Sequence, residues 1–218
     1  MYYTKTEYEK FNNECLALIE KLKSEYYESL FSVNTIREDQ DINNKANNTI
    51  NNDYAPTTYS FLEFYFKKHP FGENDHIIDF GCGKGRVMFM AAYYGCRNIT
   101  GIEYNTRIFE IAKSNIEKFK VNSNSCFEII NNDAKNALIP NTANIFFFFN
   151  PFHLKVYIYV FNRIMESIKD NPRKVSLLLY RPQLSTLDYI ERLHIFRRKE
   201  YFCINGNNEK TLYALYTN

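Results

Sequence analysis

Short apolar runs alternate along most of the chain with longer segments in which apolar residues recur at helical spacing. Five apolar runs are predicted to form strands, at residues 77–80, 99–103, 127–130, 145–149 and 175–180. Three segments between them carry the helical periodicity, at residues 86–94, 106–120 and 154–168. This alternation is typical of an α/β fold in which helices cover both faces of a mostly parallel sheet.

The C-terminal part of the chain departs from this alternation. A further helix is predicted over residues 184–192, followed by two strands over residues 196–204 and 211–216. Asn205, Gly206 and two more asparagines lie between these strands, which is a composition typical of a hairpin turn. We therefore predict a seven-stranded Rossmann-like sheet that is mostly parallel and ends in an antiparallel hairpin.

The N-terminal residues differ in character from this domain. Thr4 and Glu7 have the form of a capping box. The apolar residues that follow recur at helical spacing, as Tyr8, Phe11, Cys15, Leu18, Leu22 and Tyr26. We predict an amphipathic helix over residues 1–31, a polar flexible linker or lid over 32–53, and the main domain over 54–218. We expect the helix to close over a ligand pocket and to be removable without loss of the fold.

Composition excludes several classes of protein. Hydrophobic residues make up 45% of the 218 residues and charged residues 24%, as in globular domains. The formal net charge of +2 is too small for a broad basic surface that binds nucleic acid nonspecifically. Five scattered cysteines without a Cys-x-x-Cys pair favour neither disulfides nor a metal site, and no apolar run is long enough to span a membrane. We therefore expect a soluble, cytoplasmic protein.

One loop carries most of the chemical information. The first predicted strand runs into Asp-Phe-Gly-Cys-Gly-Lys-Gly-Arg, residues 79–86, and a predicted helix follows. Glycines let the backbone turn tightly and approach a ligand, and the start of a helix favours an anionic group. Neither the dinucleotide fingerprint nor the phosphate loop of nucleotidases matches, because the sixth position from Gly81 is Arg86.

The remaining pattern, Asp-x-Gly-x-Gly-x-Gly, resembles motif I of class I S-adenosylmethionine-dependent methyltransferases, and the resemblance continues in order from Tyr54 to the end of the chain. It implies that fold and S-adenosylmethionine as cofactor. It also implies that Glu103 accepts hydrogen bonds from both ribose hydroxyls and that Asp133 binds the adenine amino group. The residues implied in cofactor binding are Thr57, Thr58, Asp79, Gly81, Cys82, Gly83, Gly85, Arg86, Glu103, Tyr104, Asn132, Asp133, Ala134 and Asn150.

A second motif, Asn-Pro-Phe at residues 150–152, follows the fourth predicted strand. It resembles the Asn-Pro-Pro-Tyr motif of adenine-amino and glutamine methyltransferases, with Phe152 in place of the second proline. Together with the glycine pattern and the Tyr-Ala-Pro-Thr sequence from residue 54, it is more similar to small bacterial methyltransferases that share their plan with protein-lysine methyltransferases. This resemblance implies that Thr57 or Thr58 contacts the methionine part of the cofactor. The Asn150 amide oxygen is a suitable acceptor for an amino nucleophile.

Several of these roles have a structural alternative. Glu103 could be a solvated strand end, Asp133 a helix cap, and Thr57 or Thr58 a helix N-cap. His153, beside the Asn-Pro-Phe motif, could be either a general base or a cap.

We predict an enzyme that N-methylates an amino group of a protein or a small molecule, with Asn150 as the catalytic residue. One alternative is a nucleic-acid adenine-amino methyltransferase in which basic residues contact phosphates, namely Lys67, Lys68, Arg181 and residues 197–199. Another is a module that binds the cofactor without turnover. For the nucleic-acid alternative, charged neighbours such as Glu200 favour the simpler view that the basic residues form solvated surfaces.

Overall fold

The computed structural model describes residues 5–38, 54–121, 124–204 and 210–218. The helices are α1 (Lys5–Phe31), α2 (Tyr59–Lys68), α3 (Arg86–Tyr93), α4 (Thr106–Lys118), α5 (Leu154–Asp170) and α6 (Leu184–Arg192). The strands are β1 (His76–Phe80), β2 (Asn98–Glu103), β3 (Cys126–Asn131), β4 (Ile145–Phe148), β5 (Ser176–Tyr180), β6 (Arg197–Ile204) and β7 (Lys210–Thr217). Each element predicted after residue 76 is present, with bounds within two residues of those expected. The predicted hairpin turn lies outside the described residues.

The seven strands form one sheet in the order β3-β2-β1-β4-β5-β7-β6. Strands β1 to β5 pair in parallel, and β7 runs antiparallel between β5 and β6. The predicted sheet with a C-terminal antiparallel hairpin is therefore confirmed. The strand order reverses at β1, which pairs with both β2 and β4. In open sheets of this kind, ligands bind beyond the carboxyl ends of the strands at that reversal.

Alternate residues of the central strands belong to two separate hydrophobic cores. Ile77 of β1 and Phe147 of β4 pack with α2, α3 and the end of α1 on one face. Phe80 and Phe148 pack with α5 and α6 on the other, where their rings stack at a centroid distance of 5.0 Å. Because side chains alternate across a strand, the continuous apolar runs of the sequence supply both faces at once.

Helix α1 forms as predicted but packs through a different face. The side chains of Leu18, Leu22 and Tyr26, three members of the predicted apolar stripe, are 56%, 55% and 58% exposed. Tyr27 and Phe31 are buried instead, in the core shared with α2 and α3. The end of α1 is therefore an integral part of the main domain, which differs from the expectation of a removable lid.

A carboxylate of α1 fixes the start of α2. The two oxygens of Glu20 accept hydrogen bonds from the amides of Tyr59 and Ser60, at 2.5 and 3.1 Å. The first amides of a helix have no partner within the helix, and a negative charge is favourable at that end. Glu20 thus provides the cap that Thr58, the N-cap residue, does not supply through its own side chain.

The segment after α1 is polar in sequence, yet its first residues are packed. Val33 is 8% exposed and Thr35 is fully buried, although Asn34 and residues 36–38 are exposed. The amide and the hydroxyl of Thr35 both donate to Glu28 rather than to solvent, which a polarity pattern does not reveal. The rest of the predicted linker, residues 39–53, lies outside the described residues.

Candidate functional site

The glycine loop, residues 81–85, connects β1 to α3 and brings three sequence motifs together. Gly81 and Gly83 have φ angles of +75° and +56°, in the left-handed region that glycine adopts without steric cost. A Cβ atom on Gly81 would lie 2.6 Å from the Cβ of Pro151, and a Cβ on Gly83 would overlap the ring of Tyr54. The two glycines therefore let the Asn-Pro-Phe and Tyr-Ala-Pro-Thr segments approach the loop backbone.

Amide groups of the glycine loop are bonded within the protein. The amides of Gly81 and Cys82 both donate to the carbonyl of Ile102, at 2.8 and 3.1 Å, and the Gly85 amide donates to the Cys82 carbonyl at 2.9 Å. Cys82 is buried, and burial raises the pKa of its thiol well above the usual range. These residues supply a narrow, rigid backbone rather than free donors or a reactive thiolate.

Glu103, the last residue of β2, lies directly beside the glycine loop. Its Oε2 accepts a hydrogen bond from the Gly83 amide at 2.9 Å, and its Oε1 accepts one from the Asn105 amide at 2.8 Å. Partial burial raises the pKa of this carboxyl, while the two amides act in the opposite direction. Each carboxylate oxygen retains a second lone pair, so Glu103 can accept two more hydrogen bonds, as a diol requires. The next side chain, Tyr104, is 53% exposed.

Asp79 forms a second carboxyl group at the same edge of the sheet. It is 2% exposed, and burial, followed by the charge of Glu103, raises its pKa well above the usual range. In the register of β1 and β2, Asp79 lies opposite Gly101, two residues before Glu103. Two neighbouring carboxyl groups in a poorly solvated position favour a cationic ligand, since a positive charge would offset the cost of ionising both.

Asp133 is a cap residue in this structure. It precedes a short 3₁₀ turn over Ala134–Asn136, and its Oδ1 accepts the Lys135 amide at 3.0 Å. Its Oδ2 lies 3.1 Å from Nζ of Lys135. Asn132 is held nearby, because its amide donates to the carbonyl of Glu103 at 3.1 Å. The residues after β3 and the end of β2 are thereby joined at the carboxyl edge of the sheet.

Arg86, included among the cofactor-binding residues, instead connects α3 to the N-terminal part of the chain. Its Nε donates to Oγ1 of Thr35 at 2.7 Å, its Nη1 to the carbonyl of Thr57 at 3.2 Å, and its Nη2 to Oε1 of Glu28 at 3.2 Å. The guanidinium also lies 4.3 Å from the centre of the Tyr59 ring. The buried Arg86 side chain therefore has a structural role, and its part in cofactor binding stays a prediction.

Residues 33–38 contribute contacts to the glycine loop that the sequence did not indicate. Nζ of the buried Lys84 donates to the carbonyl of Ile36 at 2.8 Å, and the hydroxyl of Tyr54 donates to the carbonyl of Thr35 at 2.6 Å. Both acceptors belong to the backbone, which any residue carries. Sequence reasoning missed this support for the loop because no residue type marks it.

Thr57 and Thr58 lie between the glycine loop and β5. Thr57 is 3% exposed, and its carbonyl accepts the hydrogen bond from Arg86. Oγ1 of Thr58 lies 3.0 Å from the hydroxyl of Tyr180, the last residue of β5. Since Thr58 makes no side-chain capping bond to α2, its hydroxyl is directed to the sheet rather than to the helix.

Asn150 follows β4 in a strained backbone conformation. Its φ angle is +38°, a region that non-glycine residues occupy at a cost and that is enriched at functional sites. The N-cap of α5 is His153, which is exposed and makes no side-chain capping bond. Asn150 is thus not the cap of this helix, and the structure leaves its amide at the carboxyl edge of the sheet beside Pro151.

The described residues contain no group of three His, Cys, Asp or Glu side chains that could hold a metal ion. No described helix is long and apolar enough to cross a membrane.

A seven-stranded sheet of this order, with the glycine loop after β1 and a carboxylate at the end of β2, defines a class I S-adenosylmethionine-dependent methyltransferase fold. A methyltransferase from Pyrococcus furiosus matches with a TM-score of 0.58 at 16% identity, over 94% of this chain and 98% of that chain. The precorrin-6y C5,15-methyltransferase of Geobacter metallireducens matches with a TM-score of 0.55 at 16% identity, over 74% and 88% of the two chains.

Other similar proteins support the same class and the cofactor. The tRNA (uracil-54, C5)-methyltransferase of Pyrococcus abyssi, solved with S-adenosylhomocysteine, has a TM-score of 0.53 at 16% identity over 76% of this chain and 40% of that one. A probable cobalt-precorrin-6B C(15)-methyltransferase (decarboxylating) of Methanobrevibacter smithii is 31% identical over 84 residues, which are 38% of this chain and 43% of that protein. The matched region thus spans less than half of that curated relative.

The family model described as histone methylation protein DOT1 matches residues 32–201. The chain belongs to this family. Its fold is that of the class I S-adenosylmethionine-dependent methyltransferases.

Proposed function

We propose that this enzyme transfers a methyl group to an amino nitrogen of a protein or a small molecule, and that Asn150 orients that nitrogen. The observation that carries the proposal is the position of Asn150. It has a φ of +38°, follows β4, and immediately precedes Pro151, whose Cβ approaches the backbone of Gly81. Asn150 is thereby adjacent in the chain to a residue that contacts the loop we assign to the cofactor.

The chemistry of methyl transfer fits such an arrangement. Transfer from a sulfonium is an in-line displacement, so alignment of a neutral nucleophile supplies much of the acceleration. An alkyl amine has a pKa near ~10 and must lose a proton before it reacts. The amide oxygen of Asn150 and the carbonyl of Pro151 are acceptors that can bind the remaining N–H groups and direct the lone pair toward the methyl group.

The residues of the carboxyl edge fit the cofactor in shape and charge. Glu103 retains lone pairs for the ribose hydroxyls, and its Oε2 lies beside the glycine loop at Gly83. The carboxyls of Asp79 and Glu103 suit the positive charges of S-adenosylmethionine. We further assign Asp133 to the adenine amino group, because its oxygens keep lone pairs beyond those used by Lys135.

Similar proteins differ in what their names say they methylate. The family description refers to histones, whereas the names of individual relatives refer to precorrins and to a tRNA uracil. They support methyl transfer but leave several acceptors open. The lysine side chain of a protein and the amine of a metabolite present the same nucleophile, which is why the proposal names the amino group.

Nucleic acid is less well supported as the acceptor. Three of the six basic residues considered as a phosphate-binding track are paired with carboxylates: Lys67 with Glu63, Lys68 with Glu200, and Arg198 with Glu191. A charge that is already compensated contributes little to the release of counterions on which phosphate binding depends.

A methyl-transfer screen tests the proposal. Wild-type protein and Asn150→Ala are incubated with S-adenosylmethionine carrying a radioactive methyl group and with separate pools of basic proteins, amino metabolites and oligonucleotides. We expect label in an amine of the protein or metabolite pool, and its loss with Asn150→Ala. Label confined to the oligonucleotides would favour the adenine-amino alternative, whereas cofactor binding with no labelled product would favour a non-catalytic module.

A further inference from the structure

Two adjacent strands end in the same unusual local structure. Asn150-Pro151 follows β4 and Arg181-Pro182 follows β5, and the residue before each proline has a positive φ, +38° for Asn150 and +47° for Arg181. In the parallel register of these strands, Phe148 lies opposite Leu179. Asn150 and Arg181 are each two residues beyond that pair, so the two dipeptides occupy equivalent positions on neighbouring strands.

Both conformations are costly. A residue before proline normally has an extended backbone, and a residue with a side chain occupies the left-handed region rarely. The backbone of Arg181 is held in place because its amide donates to the carbonyl of Leu212 in β7 at 2.8 Å. Backbone strain of this kind concentrates at sites that bind ligands, and here it occurs twice at one edge of the sheet.

The guanidinium of Arg181 lies over an aromatic cluster that reaches both Asn150 and the region assigned to the cofactor. Its Cζ is 5.3 Å from the centre of the Tyr180 ring. That ring contacts Phe149, the neighbour of Asn150, at a centroid distance of 4.9 Å. The Tyr180 hydroxyl lies 3.0 Å from Oγ1 of Thr58. Contacts through Tyr180 thus connect Thr58 to Arg181 at the carboxyl edge of the sheet.

Arg181 also differs in charge pairing from three other basic residues of the track considered above. Within the described residues it has no carboxylate at ion-pair distance, whereas Lys67, Lys68 and Arg198 each have one. Its side chain is exposed, and its guanidinium lies within the distance of a cation–π contact with the Tyr180 ring, so its N–H groups can reach a ligand in solvent. A guanidinium presented in this way matches the geometry of a carboxylate or a phosphate.

We propose that Arg181 binds a carboxylate or phosphate group of the methyl acceptor, so that the substrate is an amine with a nearby negative charge. This proposal deepens the proposed function and rests on Asn150 as the residue that orients the amine. Arg181 would select the acceptor by its anionic group, while Asn150 aligns its nitrogen. Arg181 is then a residue that determines substrate specificity and does not act on the transferred methyl group.

The first test compares acceptors directly. Wild type, Arg181→Gln, Arg181→Lys and the matched control Arg198→Gln are assayed with labelled S-adenosylmethionine on pairs of amines that differ only in one group, a free carboxylate or phosphate against its amide or its unphosphorylated form. We expect wild type to prefer the anionic member, and Arg181→Gln to lower kcat/KM for it by roughly tenfold to a hundredfold, mainly through KM. Arg181→Lys should recover part of the loss, and Arg198→Gln should resemble wild type.

Equal use of the two members of each pair by wild type, or unchanged kcat/KM in Arg181→Gln, would overturn the proposal. Calorimetry with S-adenosylmethionine serves as the control for folding, and its dissociation constant should be the same for all four proteins.

A second measurement separates this proposal from the proposed function. Pyrophosphate and citrate are titrated into the protein saturated with S-adenosylhomocysteine, and binding is followed by NMR. Binding that weakens in Arg181→Gln but not in Arg198→Gln would support an anion site even if wild type methylated no amine in the screen. Absence of binding to wild type, or equal binding to both variants, would overturn the anion site.

Discussion

Nη2 of Arg86 lies 3.2 Å from Oε1 of Glu28, which joins the first residue of α3 to the last turn of α1 through a buried ion pair. Oε1 of Glu28 also accepts the hydroxyl of Tyr59 at 2.7 Å, and Oε2 accepts the amide of Thr35 at 2.6 Å. The helix that follows the glycine loop is thereby attached to α1, α2 and residues 33–38 at one point.

Replacement of Glu28 by alanine should destabilise the protein by about 3–5 kcal/mol, because removal of one partner leaves the buried charge of Arg86 uncompensated. Urea unfolding measures the effect. Glu25→Ala is the matched control on the same helix, since the pair of Glu25 with Lys21 is exposed and should contribute less than about 1 kcal/mol. Similar unfolding midpoints for the two variants would contradict the structural role of the ion pair.

Deletion of residues 1–53 should abolish cooperative unfolding rather than leave the fold intact. The deletion removes Phe31, which is fully buried, together with Glu28 and the carboxylate of Glu20 that caps α2. Deletion of residues 1–14 is the control, because it keeps all three side chains. Circular dichroism melting curves distinguish the two, and a sharp transition for the longer deletion would show that the core does not depend on α1.

Glu103→Ala should weaken binding of S-adenosylmethionine by roughly a hundredfold or more, if its carboxylate makes two charge-assisted hydrogen bonds to the ribose worth about 1.5–3 kcal/mol each. Isothermal calorimetry gives the dissociation constant. Glu128→Ala, an exposed carboxylate on the neighbouring strand β3, should bind the cofactor as wild type does. An unchanged dissociation constant for Glu103→Ala would show that Glu103 does not bind the cofactor and only positions the Gly83 amide at the end of β2.

Asn150→Ala should lower turnover far more than it weakens cofactor binding, since the amide acts on the acceptor and Glu103 and the glycine loop hold the cofactor. Alanine also destabilises the folded protein relative to asparagine, because it tolerates a backbone φ of +38° less well. Asn150→Gly, which accepts that backbone without strain, separates the two effects. If Asn150→Gly kept wild-type turnover, the side chain would have no part in catalysis.

Asn150→Asp gives a test that depends on pH. A carboxylate at this position stabilises the protonated amine and raises its pKa, so the reactive neutral fraction falls at neutral pH. Activity should therefore be low at neutral pH and recover partly as the pH rises, because one acceptor oxygen is kept. Turnover equal to wild type at every pH would mean that Asn150 has only a structural role.

Asp79→Asn should make stability less dependent on pH. Burial and Glu103 raise the pKa of Asp79 in the folded protein above the ordinary value of 3.8. Above that pH the unfolded chain releases the proton while the folded protein retains it, so the wild-type free energy of unfolding decreases as the pH rises. As the pH rises, the free energy of unfolding of Asp79→Asn should therefore increase relative to that of wild type. Urea midpoints across a pH series measure it, with the exposed Asp170→Asn as control, and a constant difference would contradict the effect.

Periodicity predicted the strands and helices of the main domain because its elements are regular and their apolar positions carry the signal. The resemblance of the glycine pattern, Glu103 and Asn150, in their order along the chain, to motifs of class I methyltransferases also indicated the class. Parallel strands bring the ends that carry these motifs to one edge of the sheet. In each case the residues that allow the prediction lie within a short stretch of sequence, and folding only brings these stretches close together.

The tertiary structure decided the features that depend on a choice between partners distant in sequence. Apolar side chains of α1 such as Leu22 suggested one packing face, yet Tyr27 and Phe31 fill the core, on the side where Glu28 pairs with Arg86. The sequence itself specified which residues are apolar, charged or flexible. The tertiary structure determined which of these residues contact each other. In the folded chain, each buried unpaired charge and each unfilled space in the core costs free energy.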